Sequence, residues 1–389
     1  MFQLLLRCCL HSAIVPGALC GLPSSLPVAT VVSGGGDGTI VSEIFSILSF
    51  CTPAINKDSQ TGEASNLMCK LTNPVALVLH SCLIIATVAQ RLKATGRNSA
   101  LFMLTTSQKK QVSRLAVLAQ YFSFHDKTKT SLQPYSASAM LALASILSLE
   151  TGSSVECAVS DIGVPLIPRT AILCDFLKIS LGNENELGAH PDSALSYWHG
   201  FKDGCVGLLE CRLRWAGTLA VQELCANGIP QLLIDLLATN PLKASLQGIG
   251  NTTDQVGISP MGVVWTVSSI CHCLPGGALT FRQIMKSEHI KIISDLLSGV
   301  HLKLVRRWVG PGGGKEGARV IIDTVIDLLA FPFVAVQNAP GLPAATASVN
   351  SGFLLNAGSP GGRVCMEDKD MVKVIEEDMG KYIKILLEV

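Results

Sequence analysis

The stretch Gly217-TLAVQELCANGIPQLLIDLL-Ala238 decides the fold. Apolar side chains with helical spacing lie on both sides of Asn227-Gly-Ile-Pro230. Asn or Gly readily ends a helix, and Pro is favoured at the first position of the next one. We therefore predict two helices, Gly217–Ala226 and Pro230–Ala238, that meet in a tight corner.

The rest of the chain repeats this alternation of helical segments and helix breakers, and no comparable set of alternating strands accompanies it. The triplet Asp-Leu-Leu recurs at 235–237, 295–297 and 327–329, each time predicted to close a helix. Its spacings of 60 and 32 residues lie on either side of the roughly 40 residues of HEAT or armadillo units. We predict an all-α protein, an armadillo/HEAT-like α-solenoid in which helix pairs stack into a superhelix. The other predicted helices are Val75–Leu92, Val112–Phe122, Ser136–Leu149, Thr170–Leu181, Val263–Cys273, His289–Val300, Ala318–Phe331 and Met371–Leu387.

Three stretches rich in Gly, Pro or Ser interrupt the helical pattern and are predicted to be long loops or mobile insertions. They are Leu22–Gly38, Gly310–Gly317 and Asn338–Gly362. The last helix is predicted to be amphipathic, with an i,i+4 ion pair between Glu377 and Lys381. Its predicted apolar face consists of Met371, Ile375, Met379, Ile383 and Leu386.

Composition restricts the class of protein. Charged residues make up 15% of the chain and apolar ones 48%, and the mean hydropathy is +0.43, so most of the chain must be packed away from water. Aromatic residues account for only 5%, which favours helices over a β-sandwich or barrel. The net charge of +1 is not gathered into a basic segment, so we expect no nucleic-acid partner.

Cysteine usage indicates a reducing compartment, because a chain of 389 residues does not need a disulfide framework. Of its fourteen cysteines, Cys82, Cys174, Cys225 and Cys271 lie inside apolar runs. We expect these four to behave as small hydrophobic residues in packed helices.

The apolar start Met1–Leu22 raises the alternative of a secretory signal, but cysteines and His11 interrupt it and Pro16 breaks it. We favour a chain that opens inside a helix, and its apolar end at Val389, without a stop signal, predicts truncation there too. The strongest candidate for a membrane span, Val75–Ala89, has 15 residues where about 20 are needed. We predict that it is a buried helix and that the protein has no membrane partner.

Three motifs invite a chemical interpretation. Gly310-Pro-Gly-Gly-Gly-Lys315 lacks the first glycine of a phosphate-binding loop, and Glu316 stands where a metal-binding Ser or Thr is required. Gly34-Gly-Gly-Asp-Gly38 lacks the spacing of a nucleotide-binding loop. Cys271-His272-Cys273 has no second pair at zinc-like spacing, so two packed thiols are the favoured interpretation. We predict no catalytic, cofactor-binding or metal-binding residues and no cofactor.

Two kinds of side chain could bind a partner. An exposed tryptophan could anchor one, although Trp265, at the centre of an apolar helix, is predicted to be a core residue. The run Leu302-Lys-Leu-Val-Arg-Arg-Trp308 could contact an acidic partner, and a solvated helix end is the favoured alternative. The partner-binding residues are not located by the sequence.

Several idiosyncratic stretches resemble the C-terminal armadillo/HEAT-type region of the plant Fused-type serine/threonine kinases. They are Gly262-VVWTVSSICHCLPGG-Ala278, Thr280-FRQIMKSEHIK-Ile292, Val325-IDLLAFPFVA-Val336, Gln337-NAPGLP-Ala344 and Gly358-SPGGRVCMEDKDM-Val372. The resemblance is specific from about Gly200 to Val389. Together with the helical pattern, which carries the assignment before Gly200, it predicts three parts: a poorly structured or truncated segment at 1–38, a helical repeat region at 39–199, and an armadillo-like repeat region at 200–389 that is truncated at its C-terminus.

The resemblance implies a function that composition does not show. Members of this family join a kinase domain to a helical-repeat tail, which acts in cytokinesis and docks kinesin-12-type motors at the phragmoplast. This sequence lacks the kinase glycine loop, the ATP-anchoring lysine and the catalytic aspartates. We therefore expect a cytoplasmic, microtubule-associated scaffold that is not itself an enzyme. The alternative is a regulatory fragment of a kinase whose catalytic domain is missing. The oligomeric state stays open.

Overall fold

A computed structural model describes residues 1–12, 14–21, 39–51, 74–94, 133–148, 167, 169–171, 173, 174, 177, 194–215, 218–238, 258–308, 312–337 and 369–388. Every regular element within these residues is a helix, which confirms the all-α class for the part of the chain that they cover. The predicted helix Val112–Phe122 and most of Thr170–Leu181 lie outside the described residues, as do the predicted loops Leu22–Gly38 and Asn338–Gly362.

The chain forms two compact units. The first consists of Met1–Leu173, Asn185–Leu208 and Val309–Pro311, and the second consists of Cys174–Glu184, Leu209–Trp308 and Gly312–Val389. The described helices of the first unit are α1 (Phe2–His11), α2 (Val15–Leu19), α3 (Ile40–Cys51), α4 (Pro74–Ala94), α5 (Gln133–Leu147) and the residues of α6 (Ala194–Trp215) up to Leu208.

Helix α4 is the centre of the first unit, because α1, α2, α3 and α5 all pack against it. Its side chains from Ser81 to Gln90 are almost all buried, which confirms the predicted buried helix at Val75–Leu92. No helix among the described residues is long and apolar enough to cross a membrane. Inside the unit, Gln90 donates to the hydroxyl of Ser145 at 3.1 Å, and Arg91 donates to the carbonyl of Leu10 at 2.7 Å, near the end of α1.

Helix α5 confirms the helix predicted at Ser136–Leu149 and begins slightly earlier. Helix α6 was not predicted from the sequence. Gly204 lets α6 approach α5 closely, since a Cβ atom at this position would lie 2.7 Å from Cβ of Met140 and 2.8 Å from its backbone. A glycine in mid-helix normally weakens it, and here it permits tight packing.

The second unit contains the remaining residues of α6 and eight further helices among the described residues. They are α7 (Thr218–Ala226), α8 (Ile229–Ala238), α9 (Pro260–Cys273), α10 (Ala278–Ile284), α11 (Ser287–Ser294), α12 (Gly299–Arg307), α13 (Gly314–Gln337) and α14 (Lys369–Glu388), with 3-10 turns at Leu274–Gly276 and Asp295–Leu297. Helix α9 lies at the centre and packs against α8 and α13.

The corner between α7 and α8 has the predicted form. Asn227 and Gly228 make the turn, and Gly228 has a φ of 81°, a conformation that glycine adopts at little cost. The amide of Gly228 donates to the carbonyl of Cys225 at 3.0 Å, which closes the last turn of α7. Helix α8 then begins at Ile229, so Pro230 is its second residue rather than its first.

Two boundary predictions were wrong. The helix predicted at His289–Val300 is divided into α11, a 3-10 turn and α12, because Ser298 adopts a non-helical conformation and its hydroxyl caps the amide of His301. The Asp-Leu-Leu triplet at 327–329 does not close a helix, since α13 continues through Pro332 to Gln337. Helices α2, α3 and α10 were not predicted, and α12 was anticipated only as a helix end at the basic run Leu302–Trp308.

Candidate interaction surface

Helix α14 shows how the second unit ends on a partly apolar surface. Met371 and Ile375 are buried, as predicted, and so is Val372, but further along the helix the buried residue is Tyr382, not Ile383. Ile383 is 41% exposed and Leu387 is 82% exposed. The predicted apolar face is therefore correct at Met371 and Ile375 and wrong at Ile383, while Met379 and Leu386 are half-buried.

The hydroxyl of Tyr382 explains this rotation of the buried face. It donates to the carbonyl oxygen of Leu329 on α13 at 2.6 Å. Pro332 lies inside α13 and has no amide hydrogen, so it cannot complete the hydrogen bond to the carbonyl of residue 328. The phenol thus bonds a carbonyl in the turn that the proline weakens, while its ring is buried. Burial raises the pKa of Tyr382, so the hydroxyl stays a donor.

An ion cluster attaches the middle of α14 to α10. Arg282 donates through Nε to Asp378 at 2.6 Å, and Lys381 donates to the same carboxylate at 3.1 Å. The hydrogen bond from Arg282 is the main cause of the lowered pKa of Asp378. The predicted pair of Glu377 with Lys381 is thus replaced, because Glu377 instead lies 3.9 Å from Arg282.

Exposed apolar side chains follow α13 and α14 beside this attachment. On α13, Ile326 is 50% exposed and Phe333, two turns later on the same side, is 40% exposed. The ring of Phe333 lies 5.8 Å from that of Tyr382, which brings the two helices together here. We call Ile326, Phe333, Ile383 and Leu387 the α13–α14 surface. A contiguous patch of large exposed apolar groups, unlike a single exposed side chain, is typical of a protein-binding surface.

A buried polar network joins α6 to α9 within the second unit, and nothing in the sequence analysis anticipated it. Glu210 accepts two hydrogen bonds from Arg214, one turn later on the same helix, and one from the hydroxyl of Ser268 at 3.0 Å. Nε2 of His272 lies 3.6 Å from the same carboxylate. The i,i+4 spacing of Glu210 and Arg214 was a visible signal, but its burial was not.

This network is closed to solvent. All four side chains are buried, so a substrate does not reach the carboxylate from solvent. Burial acts to lower the pKa of Arg214, and the Glu210 carboxylate outweighs it, so the guanidinium stays charged. Arg214 holds the Glu210 carboxylate in place on α6, and the hydrogen bond from Ser268 then joins that carboxylate to α9.

Backbone geometry explains why glycines are needed in the described part of the glycine-rich loop. Gly312 and Gly314 have φ angles of 80° and 82°. A Cβ atom at Gly312 would lie 2.6 Å from the backbone nitrogen of Met261, and one at Gly313 would collide with the carbonyl of Trp308. Helix α13 begins at Gly314, so the predicted loop ends earlier than Gly317. The glycines serve a tight turn packed on α9, as their backbone geometry requires.

The remaining predicted features lie as follows. Trp265 is 2% exposed, which confirms its place in the core. Cys82, Cys174 and Cys271 are buried as predicted, whereas Cys225 is only partly buried. Within the described residues, no three His, Cys, Asp or Glu side chains are grouped so that they could hold a metal ion. The basic run belongs to α12, where its three cations are exposed.

The sequence motifs indicated a resemblance to the Fused-type serine/threonine kinases, and comparison with known proteins confirms it. The chain is similar to the serine/threonine-protein kinase TIO of Arabidopsis thaliana, with 60% identity over 388 residues. The match covers the whole of this chain and 29% of the length of that kinase. No family model and no solved structure matches the chain.

Proposed function

We propose that this chain is the non-catalytic helical-repeat region of a Fused-type kinase and that it works as a scaffold for other proteins. The identity of 60% to a serine/threonine kinase, confined to 29% of its length, supports a kinase-related protein. The sequence contains none of the kinase glycine loop, lysine and aspartate motifs, which supports a role without phosphotransfer. An armadillo-like α-solenoid is the proposed arrangement of its helix pairs.

The α13–α14 surface is the observation that carries the scaffold role. Its exposed side chains are spaced by seven residues on α13 and by four on α14, the spacing at which an amphipathic helix presents its own anchors. Lys381 and Lys384 are about four-fifths exposed on α14. We propose that the partner is a helical or coiled-coil segment with an apolar stripe beside acidic residues.

The resemblance supplies the proposed partner and process. We propose that the helical segment belongs to a kinesin-12-type motor, and that the chain acts in plant cytokinesis, in the cytoplasm and at the phragmoplast. Binding uses no cofactor, metal or nucleic acid. The alternative is that the chain is a regulatory fragment whose task is to control a kinase domain. It is supported by the share of the kinase that the match leaves uncovered.

A binding experiment tests the scaffold proposal. The purified chain is mixed with the purified coiled-coil segment of a kinesin-12-type motor, and complex formation is measured by size-exclusion chromatography with light scattering. We expect a complex that Ile326→Ser with Leu387→Ser weakens at least tenfold. Leu219→Ser with Leu279→Ser is the matched control, because these leucines are 82% and 84% exposed on other helices. Equal binding by both double variants would place the contact elsewhere, and no binding by the wild-type chain would overturn this partner.

An ATP-turnover assay on the same preparation distinguishes the scaffold and regulatory proposals from a catalytic function of the chain itself. We expect no phosphotransfer to a generic kinase substrate by the chain alone. If the chain instead changes the activity of the added kinase domain of TIO without binding the motor segment, the regulatory alternative replaces the scaffold.

A further inference from the structure

Two cysteines that are far apart in sequence meet in the second unit. Cys225, near the end of α7, donates its thiol hydrogen to the carbonyl oxygen of Cys273 at the end of α9, with 3.6 Å between sulfur and oxygen. The two thiols are also close enough for each to shift the pKa of the other. They are separated by 48 positions in the chain, so only the packing of α7 against the end of α9 brings them together.

The surroundings of the pair leave room for the Cys225 sulfur. Cys225 lies over the 3-10 turn Leu274–Gly276, and a Cβ atom at Gly276 would be only 2.7 Å from Sγ of Cys225. The absence of a side chain at Gly276 therefore permits the thiol to occupy this place. The hydroxyl of Thr280 borders the same space, 3.5 Å from the Cβ position at Gly276.

The two cysteines differ in access to solvent. Cys225 is partly exposed, whereas Cys273 is fully buried. A dissolved oxidant therefore meets Cys225 first and Cys273 only through Cys225. Cys271, two residues from Cys273, is also buried. It serves as a natural comparison, since it has similar burial.

The electronic environment supports the same order of reaction. The hydrogen bond from Cys273 is the main cause that lowers the pKa of Cys225, burial opposes it, and Thr280 adds to the lowering. The pKa of Cys273 is raised, first by the hydrogen bond with Cys225 and then by burial. Thiolates rather than thiols are the nucleophiles, so Cys225 is the more reactive partner.

We propose that Cys225 and Cys273 form a reversible disulfide when a hydroperoxide oxidises Cys225. The Cys225 thiolate attacks one peroxide oxygen, the O–O bond breaks, and the leaving oxygen takes a proton to give water or an alcohol. The sulfur of Cys273 then attacks the resulting sulfenic sulfur, the S–O bond breaks, and the thiol proton leaves with the hydroxyl group as water. Two thiols are oxidised and one peroxide is reduced.

Bond formation brings the two sulfur atoms to about 2.05 Å from one another. The cross-link ties α7 to the end of α9, and a reducing compartment restores the thiols once the oxidant is removed. The proposal is independent of which partner the chain binds.

Mass spectrometry tests the proposal on the full chain. The reduced protein is treated briefly with one equivalent of hydrogen peroxide, blocked with N-ethylmaleimide and digested with trypsin. The tryptic peptide 215–243 contains Cys225 as its only cysteine, and the peptide 244–282 contains only Cys271 and Cys273. We expect these peptides to appear as one linked species whose mass is their sum less two hydrogen atoms plus one maleimide on the remaining cysteine, and dithiothreitol should separate them again.

Matched variants assign the link. Cys273→Ser is expected to abolish it and leave Cys225 sulfenylated, whereas Cys271→Ser is expected to keep it. Both variants are compared with the wild-type chain by circular dichroism, so that a loss of link is read only from folded protein. If Cys225 stays fully labelled by the maleimide while the exposed Cys8 is oxidised, the proposal is overturned. It is also overturned if Cys225 links to Cys271.

Discussion

Removal of the Glu210 carboxylate is expected to destabilise the second unit strongly. Glu210 is 1% exposed, and the side chain of Arg214 that it pairs with is 8% exposed. The substitution Glu210→Gln keeps the shape of the side chain but removes the charge opposite the buried guanidinium. Breaking a buried ion pair by removing one partner costs about 3–5 kcal/mol, because the other charge stays buried.

The size of this effect can be compared with the total stability of the unit. A domain is stable by about 5–15 kcal/mol, so the loss would be a large fraction of it. The same change would lower the melting temperature by about 10 °C in a unit of this size. The hydroxyl of Ser268, which donates to the same carboxylate at 3.0 Å, adds to the loss when its acceptor changes.

Urea unfolding followed by tryptophan fluorescence and circular dichroism measures the effect. Trp265 lies in α9, the helix that carries Ser268, so its environment reports on this unit. The matched control is Asp323→Asn, which breaks an i,i+4 pair with Arg319 whose side chains are 62% and 83% exposed. We expect the control to change the free energy of unfolding by at most about 0.5 kcal/mol.

The result that would refute this reasoning is a Glu210→Gln variant as stable as the Asp323→Asn control. A second variant checks the physical cause. Glu210→Leu combined with Arg214→Met replaces the pair by apolar groups, and it is expected to recover most of the lost stability. If the double variant is as unstable as Glu210→Gln, the buried charge is not the cause.

Three further predictions test the turn, the phenol and the surface ion cluster of the second unit. Gly312→Ala is expected to cost more than about 2 kcal/mol in urea unfolding, because it combines a positive φ with a close backbone contact, whereas Gly299→Ala, with open space around it, should cost nothing. Tyr382→Phe is expected to cost about 1 kcal/mol through the hydrogen bond to Leu329, and an unchanged urea midpoint would contradict this. The folded-state pKa of Asp378 is lowered by its hydrogen bond from arginine, so its stabilisation is present above the unfolded pKa of about 3.9 and is lost as pH falls through the folded value. Asp378→Asn should accordingly make the melting temperature depend less on pH below about pH 4. The change should be no larger than the stabilisation given by one surface ion pair, and an unaltered pH profile would exclude a stabilising role for the Asp378 carboxylate.

Local signals in the sequence were sufficient where a helix end is determined by nearby residues. The corner at Asn227-Gly-Ile-Pro230 could be predicted because a positive φ at Gly228 and a proline at a helix start are local preferences. The helical class could also be predicted, because apolar spacing is a local pattern and low aromatic content is a property of the composition. The break at Ser298 was missed, although a serine cap was present in the sequence.

The candidate surface and the sites could be predicted only in part. The apolar face of α14 was correct at Met371 and Ile375, where spacing alone decides burial. It was wrong at Ile383, because Tyr382 is buried instead. The hydroxyl of Tyr382 donates to the carbonyl of Leu329 on α13, which lies 53 residues away in the sequence, so local spacing does not reveal this contact. The contact of Cys225 with Cys273 could not be predicted from the sequence either, since only tertiary packing brings the two residues together.

The sequence by itself determined that this protein is built from helices, where most of them lie, and which kinase family it resembles. These properties depend on residue spacing, helix-capping preferences and long matching stretches, all of which are carried by contiguous residues. Tertiary structure alone decided which polar groups are buried together and which apolar groups stay exposed. Burial depends on the neighbour that each helix face receives, and a carboxylate such as Glu210 becomes a structural centre only when α9 covers it.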